Sequence, residues 1–265
     1  MNELIVYLLF LLIGIITGSA SSLLGIGGGL IFVPALTFLL PAIGVPPEYL
    51  IHIVIATSLF AGSISSASAF YQHYKIHNVE IKKSLLMASG SFISAIIVPR
   101  FVISLNSQAL KIILATFLIL VALKILFEKD DEVKRVKSIQ PEYLFLFGLV
   151  IGAIPAVSGL GAGIIIVPLL TYFYSLNIKR AIGTSTLVVS ITMFSSTLSY
   201  GMLHPSSFNS AMQLGYINLI AGLTLGLGSI IGSNFGAMVI KSISAYKLKK
   251  IFATFIIAVI IKMMV

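Results

Sequence analysis

Charge, cysteine and tryptophan are what this 265-residue chain is short of. Only 9% of its residues are charged, against about a quarter in an ordinary soluble domain. A further 58% are hydrophobic, with a mean hydropathy of +1.10, and a water-soluble fold is thereby excluded. At roughly 20 residues per membrane span, the length holds about eight to ten spans with short loops and no separate soluble domain. The absence of cysteine excludes a disulfide framework, thiol catalysis and thiolate metal sites. Acidic residues are scarce: there are 8, against 17 Lys and Arg, for a net charge of +9. In a membrane chain that excess reads as topology and not as nucleic-acid binding. All eight acids (Glu3, Glu48, Glu80, Glu128, Asp130, Asp131, Glu132, Glu142) stand at the ends of apolar runs or between them. A proton- or cation-coupled carrier usually keeps a carboxylate within the membrane. No His/Asp/Glu cluster falls within a span, so neither an enzyme site nor a metal site is indicated, and no cofactor motif is present. His52 stands close to a helix start, and His73, His77 and His204 are expected in loops. Met1-Asn2-Glu3 lacks the basic n-region of a cleavable signal peptide.

What is there is apolar sequence in two sets of four runs. They cover 4–40, 49–71, 84–103 and 108–127, then 143–174, 181–203, 212–240 and 248–265. Glu128 to Arg135 is dense in charge and reads as a solvated linker, so the chain divides into 1–127, 128–142 and 143–265. The first run of each set is too long for one span and is cut by glycines, at Gly25-Ile26-Gly27-Gly28-Gly29 and Gly159-Leu160-Gly161-Ala162-Gly163. The halves repeat. At an offset of 134, Gly14, Gly18, Gly25, Gly27, Gly29, Val33 and Pro34 meet Gly148, Gly152, Gly159, Gly161, Gly163, Val167 and Pro168. Thr57-Ser58 meets Thr184-Ser185, and Ala115-Thr116-Phe117 meets Ala253-Thr254-Phe255. Gly222, Gly226, Gly228 and Gly232 align with Ser84, Ala88, Gly90 and Ser94, small residues at a spacing that lets membrane helices approach closely.

Charge counting orients the halves. If each long first run is one span, Lys and Arg divide nine to eight between the two sides, which is no bias. If each is a hairpin that turns at its glycines, one side collects Lys75, Lys82, Lys83, Lys124, Lys129, Lys134, Arg135, Lys137, Lys179, Arg180, Lys241, Lys247, Lys249 and Lys250. That is 14 of 17, leaving Arg100, Lys111 and Lys262 opposite. The positive-inside rule makes the 14-residue side cytoplasmic and puts both termini outside. Five segments per half also makes the repeats inverted, as in many secondary transporters. The expected fold is an all-α polytopic membrane protein. It has two inverted-topology repeats, each a glycine-tipped helical hairpin plus three transmembrane helices.

Irregular backbone inside a bilayer is tolerated only where it is buried in protein or lines a wet cavity. Each glycine turn is followed directly by a helix, whose N-terminus carries free N–H groups and the positive end of the dipole. Two such ends converging would hold an anion without lysine or arginine; the same glycines also suit tight helix packing. The candidate substrate site is therefore Gly25, Gly27, Gly28 and Gly29 with Gly159, Gly161 and Gly163. Thr57, Ser58, Thr184 and Ser185 join it, since their hydroxyls can donate to an anion's oxygens or bond back to the preceding turn. The expected partners are a small anion and the lipid bilayer, without nucleic acid or cofactor; the residues do not set an oligomeric state.

Gly25-Ile26-Gly27-Gly28-Gly29-Leu30-Ile31-Phe32-Val33-Pro34, its second copy Gly159-Leu160-Gly161-Ala162-Gly163-Ile164-Ile165-Ile166-Val167-Pro168, and Ala56-Thr57-Ser58 with Gly183-Thr184-Ser185 resemble the TauE/SafE sulfite exporter family. The resemblance covers essentially the whole chain. It implies a cell-membrane transporter of sulfite, organosulfonates or related small anions, commonly in the export direction. Two positions depart from the symmetry of the repeat. Ala162 replaces the middle glycine, which is expected to make that turn less permissive. Pro155 stands opposite Ser21, where a kink is expected. A proton- or sodium-coupled organic-anion carrier and a non-transporting membrane scaffold are the other readings of the same residues.

Overall fold

The structure, a computed structural model, describes residues 3–25, 27–127, 140–205 and 212–239. The first half gives α1 (Glu3–Leu24), α2 (Gly29–Leu39), α3 (Pro47–Lys75), α4 (Ile81–Val102) and α5 (Ser107–Phe127). The second gives α6 (Tyr143–Ser158), α7 (Gly163–Phe173), α8 (Ile178–Met202) and α9 (Leu219–Val239). A one-turn 3-10 helix follows α2, at Leu40–Ile43, and a two-residue β-hairpin, β1 (Gln213–Leu214) with β2 (Ile217–Asn218), precedes α9. Each long first run breaks at its glycines into two helices, α1 and α2 in the first half and α6 and α7 in the second. The charged stretch 128–139 and the last expected span, 248–265, lie outside the described residues.

Local sequence explains where the helices begin and end. Pro46 is extended and Pro47 takes the first helical position of α3, where the missing N–H is of no consequence. Asn177 caps α8 by accepting from the Arg180 N–H at 2.8 Å. Among the described residues four helices, α1, α3, α4 and α8, are long and apolar enough to cross a membrane. α2 and α7 have 11 residues each, which at 1.5 Å per residue is about 16 Å, roughly half a hydrocarbon core.

The surface and the interior reverse the soluble pattern. Leu4, Leu8, Leu12 and Ile16 of α1, Phe101 of α4 and Val150 of α6 face outward, while Ser58, Ser65, Ser91, Thr184, Thr192 and Ser229 are buried. That is a multi-pass protein with lipid outside and hydroxyl-bearing helix contacts inside.

The halves interlock. α1 of the first half packs on α9 of the second, and α6 of the second packs on α4 of the first. A methyl on Gly14 would strike the Leu225 carbonyl, one on Gly18 the backbone of Ser229, and one on Gly232 the Ile15 carbonyl. The equivalent seam brings Gly90 against the Phe145 carbonyl and Gly148 against that of Met87. Backbone lies directly on backbone in both seams, which only glycine permits. Contacts advance together along α1 and α9, and along α4 and α6, so each pair runs parallel. Between them α3 and α8 cross: Gly62 meets Met193 while His73 meets Gly183, so these two run antiparallel.

His73 is not in a loop. α3 continues to Lys75, past the apolar run, because the half-buried His73 ring bonds the Ser22 carbonyl at 2.7 Å, which holds the last turn against α1. Tyr200 does the same at the equivalent place, donating its phenol O–H to the Ala156 carbonyl at 2.8 Å.

Candidate functional site

The two glycine turns meet inside the protein. A methyl on Gly29 would overlap the Gly159 carbonyl and the backbone of Leu160, so the start of α2 rests on the other half's turn. Gly25, Gly27, Gly159 and Gly161 have φ of 64°, 70°, 70° and 84°, left-handed backbone that side chains disfavour. The intervening position does not need it: Gly28 has φ −77° and Ala162 φ −97°. Alanine therefore does not strain the second turn, contrary to the expectation. Gly28 is set instead by packing, since a methyl there would enter the ring of Phe32, whose counterpart is the slimmer Ile166. Pro155 is accommodated inside α6, which runs on to Ser158.

Each of the four expected hydroxyls is engaged across the two halves, the serines at the glycine turns and the threonines at the starts of α9 and α4. Ser58 Oγ donates to the Gly159 carbonyl at 2.8 Å, and Ser185 Oγ to the Gly25 carbonyl at 3.0 Å and to Ile182 at 2.7 Å. Thr57 Oγ1 accepts from the Asn218 N–H at 3.0 Å, and Thr184 Oγ1 from the Glu80 N–H at 3.0 Å. The serines thus fix the carbonyls of the turns and the threonines cap the starts of α9 and α4. Ser84 Oγ adds a bond to the Thr184 carbonyl at 3.3 Å.

The Ile31 and Phe32 N–H groups return to the Gly28 carbonyl at 3.1 and 3.0 Å, whereas the Gly29 and Leu30 N–H groups have no acceptor among the described residues. They are the orphan donors of a helix start. Gly62 of α3 faces them: a methyl on it would stand 4.0 Å from Gly29 N and 2.6 Å from Met193 Sδ. Met193 Sδ also lies 3.5 Å from the methyl position of Gly27. This arrangement was not read from the sequence, although Gly62 and Met193 follow Ser58 and Ser185 on the same helices. His52 is buried, with its ring 5.7 Å from that of Tyr216.

The donors left open here are the neutral Gly29 and Leu30 N–H groups at the positive end of a helix, an arrangement suited to an anion, while the Ser58 and Ser185 protons are already spent on carbonyls. No group of three or more His, Asp or Glu that could hold a metal occurs among the described residues.

Comparison with known proteins agrees with the geometry. The family model described as sulfite exporter TauE/SafE matches residues 10–263. A probable membrane transporter protein of Haemophilus influenzae is 32% identical over 259 residues, 97% of each chain. A probable membrane transporter protein of Methanocaldococcus jannaschii is 29% identical over 247 residues, covering 91% of this chain and 89% of its own. One from Bacillus subtilis is 23% identical, over 88% of each. No solved structure matches the chain. The doubled glycine turns and the full-length match together make this chain a member of the TauE/SafE family of membrane transporters.

Proposed function

We propose that this transporter exports a small oxyanion, sulfite or an organosulfonate, bound at the glycine turns between two inverted repeats in the cell membrane. The observation that carries the reading is the apposition of Gly29 and Gly159, beside Gly29 and Leu30 N–H groups that have no acceptor among the described residues. The antiparallel crossing of the equivalent helices α3 and α8 supports inversion, and the uneven distribution of lysine and arginine supports termini on the outer side. Cytoplasm-negative potential favours moving a monoanion outward by about 2.3 kcal/mol per 100 mV, so export needs no coupling ion. The described acidic residues Glu3, Glu48, Glu80 and Glu142 stand at helix starts, which supports a carrier without an intramembrane carboxylate. Alternating access then consists of one repeat rocking against the other about the turns.

Purified protein in liposomes, given a membrane potential and no other ion gradient, tests this against sulfite, sulfate, sulfonates and small carboxylates. Saturable flux of one oxyanion, lost in Gly27→Val protein that still folds, is the expected result. Flux only under an imposed proton or sodium gradient would replace the exporter by a coupled carrier. No flux from folded protein under any gradient would leave a scaffold.

A further inference from the structure

A hydroxyl inside a helix always has one partner within reach, the carbonyl three or four residues back. Most buried hydroxyls here take it or one in the other half. Thr17 donates to Ile13, Ser66 to Gly62, Thr197 to Met193 and Ser229 to Gly226, all at 2.6–2.8 Å. Ser21, Ser65 and Ser196 take neither, although each is 0% exposed. Their hydroxyls are turned away from the local bond, and a buried polar group without a partner calls for an explanation.

Two of the three flank the first glycine turn. Ser65 follows Ser58 by seven residues, which places the two about 20° apart on one face of α3. Gly62 shares that face. It looks at the turn, because Ser58 bonds Gly159 beside Gly29 and Gly62 faces Gly29 N. Ser21 comes from the opposite limb: it stands in the last turn of α1, and its own carbonyl accepts the Gly25 N–H at 3.0 Å. The second turn has no such pair. Pro155 stands where Ser21 does, and Thr192, the counterpart of Ser65, donates to Val188 and to Ser91 Oγ, both at 2.7 Å.

We propose that Ser65 and Ser21 are substrate-binding residues and that the anion site is one-sided. The cargo sits at the first turn on the Gly29 and Leu30 N–H groups, with the two serine hydroxyls donating to its remaining oxygens. The second turn supports the first without binding. Four neutral donors from three directions suit a compact monoanion with three oxygens on one centre, such as hydrogen sulfite or a small sulfonate, over a planar carboxylate with two. This rests on the reading of the cargo as an oxyanion.

The experiment measures sulfite-induced shifts in melting temperature, and flux in liposomes, for the full chain and for Ser65→Ala, Ser21→Ala, Ser65→Thr and Ser196→Ala. Ser65→Ala and Ser21→Ala should each raise the half-saturating sulfite concentration about five- to tenfold, the worth of one hydrogen bond. Their ligand-free melting temperatures should hold or rise, because an unpartnered hydroxyl has gone. Ser65→Thr keeps the donor and should keep the affinity. Ser196→Ala should leave affinity unchanged. Unchanged affinity in both alanine variants, or a loss matched by lower ligand-free stability, would overturn the assignment. An effect of Ser196→Ala equal to that of Ser65→Ala would show that removing any unpartnered buried hydroxyl weakens binding, and would also overturn the assignment. Wild-type protein with neither a sulfite shift nor sulfite flux would refute the oxyanion reading itself, whereas wild-type response with indifferent serine variants refutes this inference alone.

Discussion

Ser58 Oγ and the Gly159 carbonyl, 101 residues apart in the chain, are joined by a 2.8 Å hydrogen bond buried between the halves. Its counterpart, Ser185 to Gly25, is the same bond with the halves exchanged. Each half therefore holds the other's turn. Ser58→Ala leaves a buried carbonyl without its partner, which costs about 1–3 kcal/mol. Thermal unfolding in detergent should show that loss for Ser58→Ala, and a smaller one for Ser185→Ala, because the single Ser185 proton is shared between the Ile182 carbonyl at 2.7 Å and the Gly25 carbonyl at 3.0 Å, which makes its bond across the halves the weaker one. Equal stability of both variants and wild type would mean that the turns are fixed by packing alone.

The glycine seams make a separate prediction. Gly18 lies on the backbone of Ser229, with no side chain between the helices that could yield. Gly18→Val must push α1 off α9, and overpacking of this kind costs about 1–3 kcal/mol or more. Gly44 has open space around it, so a seam effect and a general glycine effect separate cleanly. Gly44→Asn, a residue that tolerates its left-handed backbone, should unfold near the wild-type temperature, and Gly18→Val should unfold well below it.

What the sequence made legible was whatever repeats locally. The glycines at an offset of 134 became turns of matching φ in both halves, and the small residues at an offset of 138 became the seam. Long-range pairing was not legible. Nothing in Thr57-Ser58 says that its acceptor and donor are Gly159 and Asn218, because helix neighbours in a membrane are chosen by packing and not by sequence distance. His73 was misplaced because a polar residue after an apolar run looks like a loop until a carbonyl from another helix, that of Ser22, is there to receive it. Ala162 looked like a weakened turn because a glycine motif does not say which of its glycines carry the positive φ.

Met193 makes a prediction about cargo size. Its thioether lies between Gly27 and Gly62, in front of the Gly29 N–H, and methionine is the most easily displaced of the large apolar side chains. Met193→Ala should let longer sulfonates compete for sulfite flux, at a stability cost of about 2–5 kcal/mol. Met193→Leu restores volume without the same flexibility and should lower flux while keeping the fold. Competition by sulfonates that is identical in all three proteins would remove Met193 from the cargo's path.

The Arg180–Glu80 ion pair, at 2.9 Å, ties α8 to the start of α4. The aligned positions hold Ile53 and Asn218, so this tie exists on one face only. Asn218 caps its own helix by accepting from the Ala221 N–H, while the Glu80 side chain makes no such cap. Both partners are partly exposed, and such a pair is worth about 0–1 kcal/mol. Glu80→Asn exchanges it for a cap, so the melting temperature should change little. If parting of this face limits the cycle, flux at low ionic strength should rise in the variant. The gap should close at about 1 M salt, where screening already weakens the wild-type pair. A salt-independent difference would assign Glu80 some other role.

Topology is testable in a chain without native cysteines. Ala42 is exposed on the 3-10 turn after α2, and Ser175 is exposed at the equivalent place after α7. Parallel repeats put both on one side of the membrane, and inverted repeats put them on opposite sides. With 14 of the 17 basic residues assigned to the cytoplasm, Ala42→Cys should react with a membrane-impermeant maleimide on intact cells, and Ser175→Cys only after permeabilisation. Labelling of position 42 from the cytoplasm alone, or of both positions from one side, would dismantle the inverted arrangement. The two turns would then enter the membrane from the same face, and a site shared between opposing helix starts would have no geometric basis.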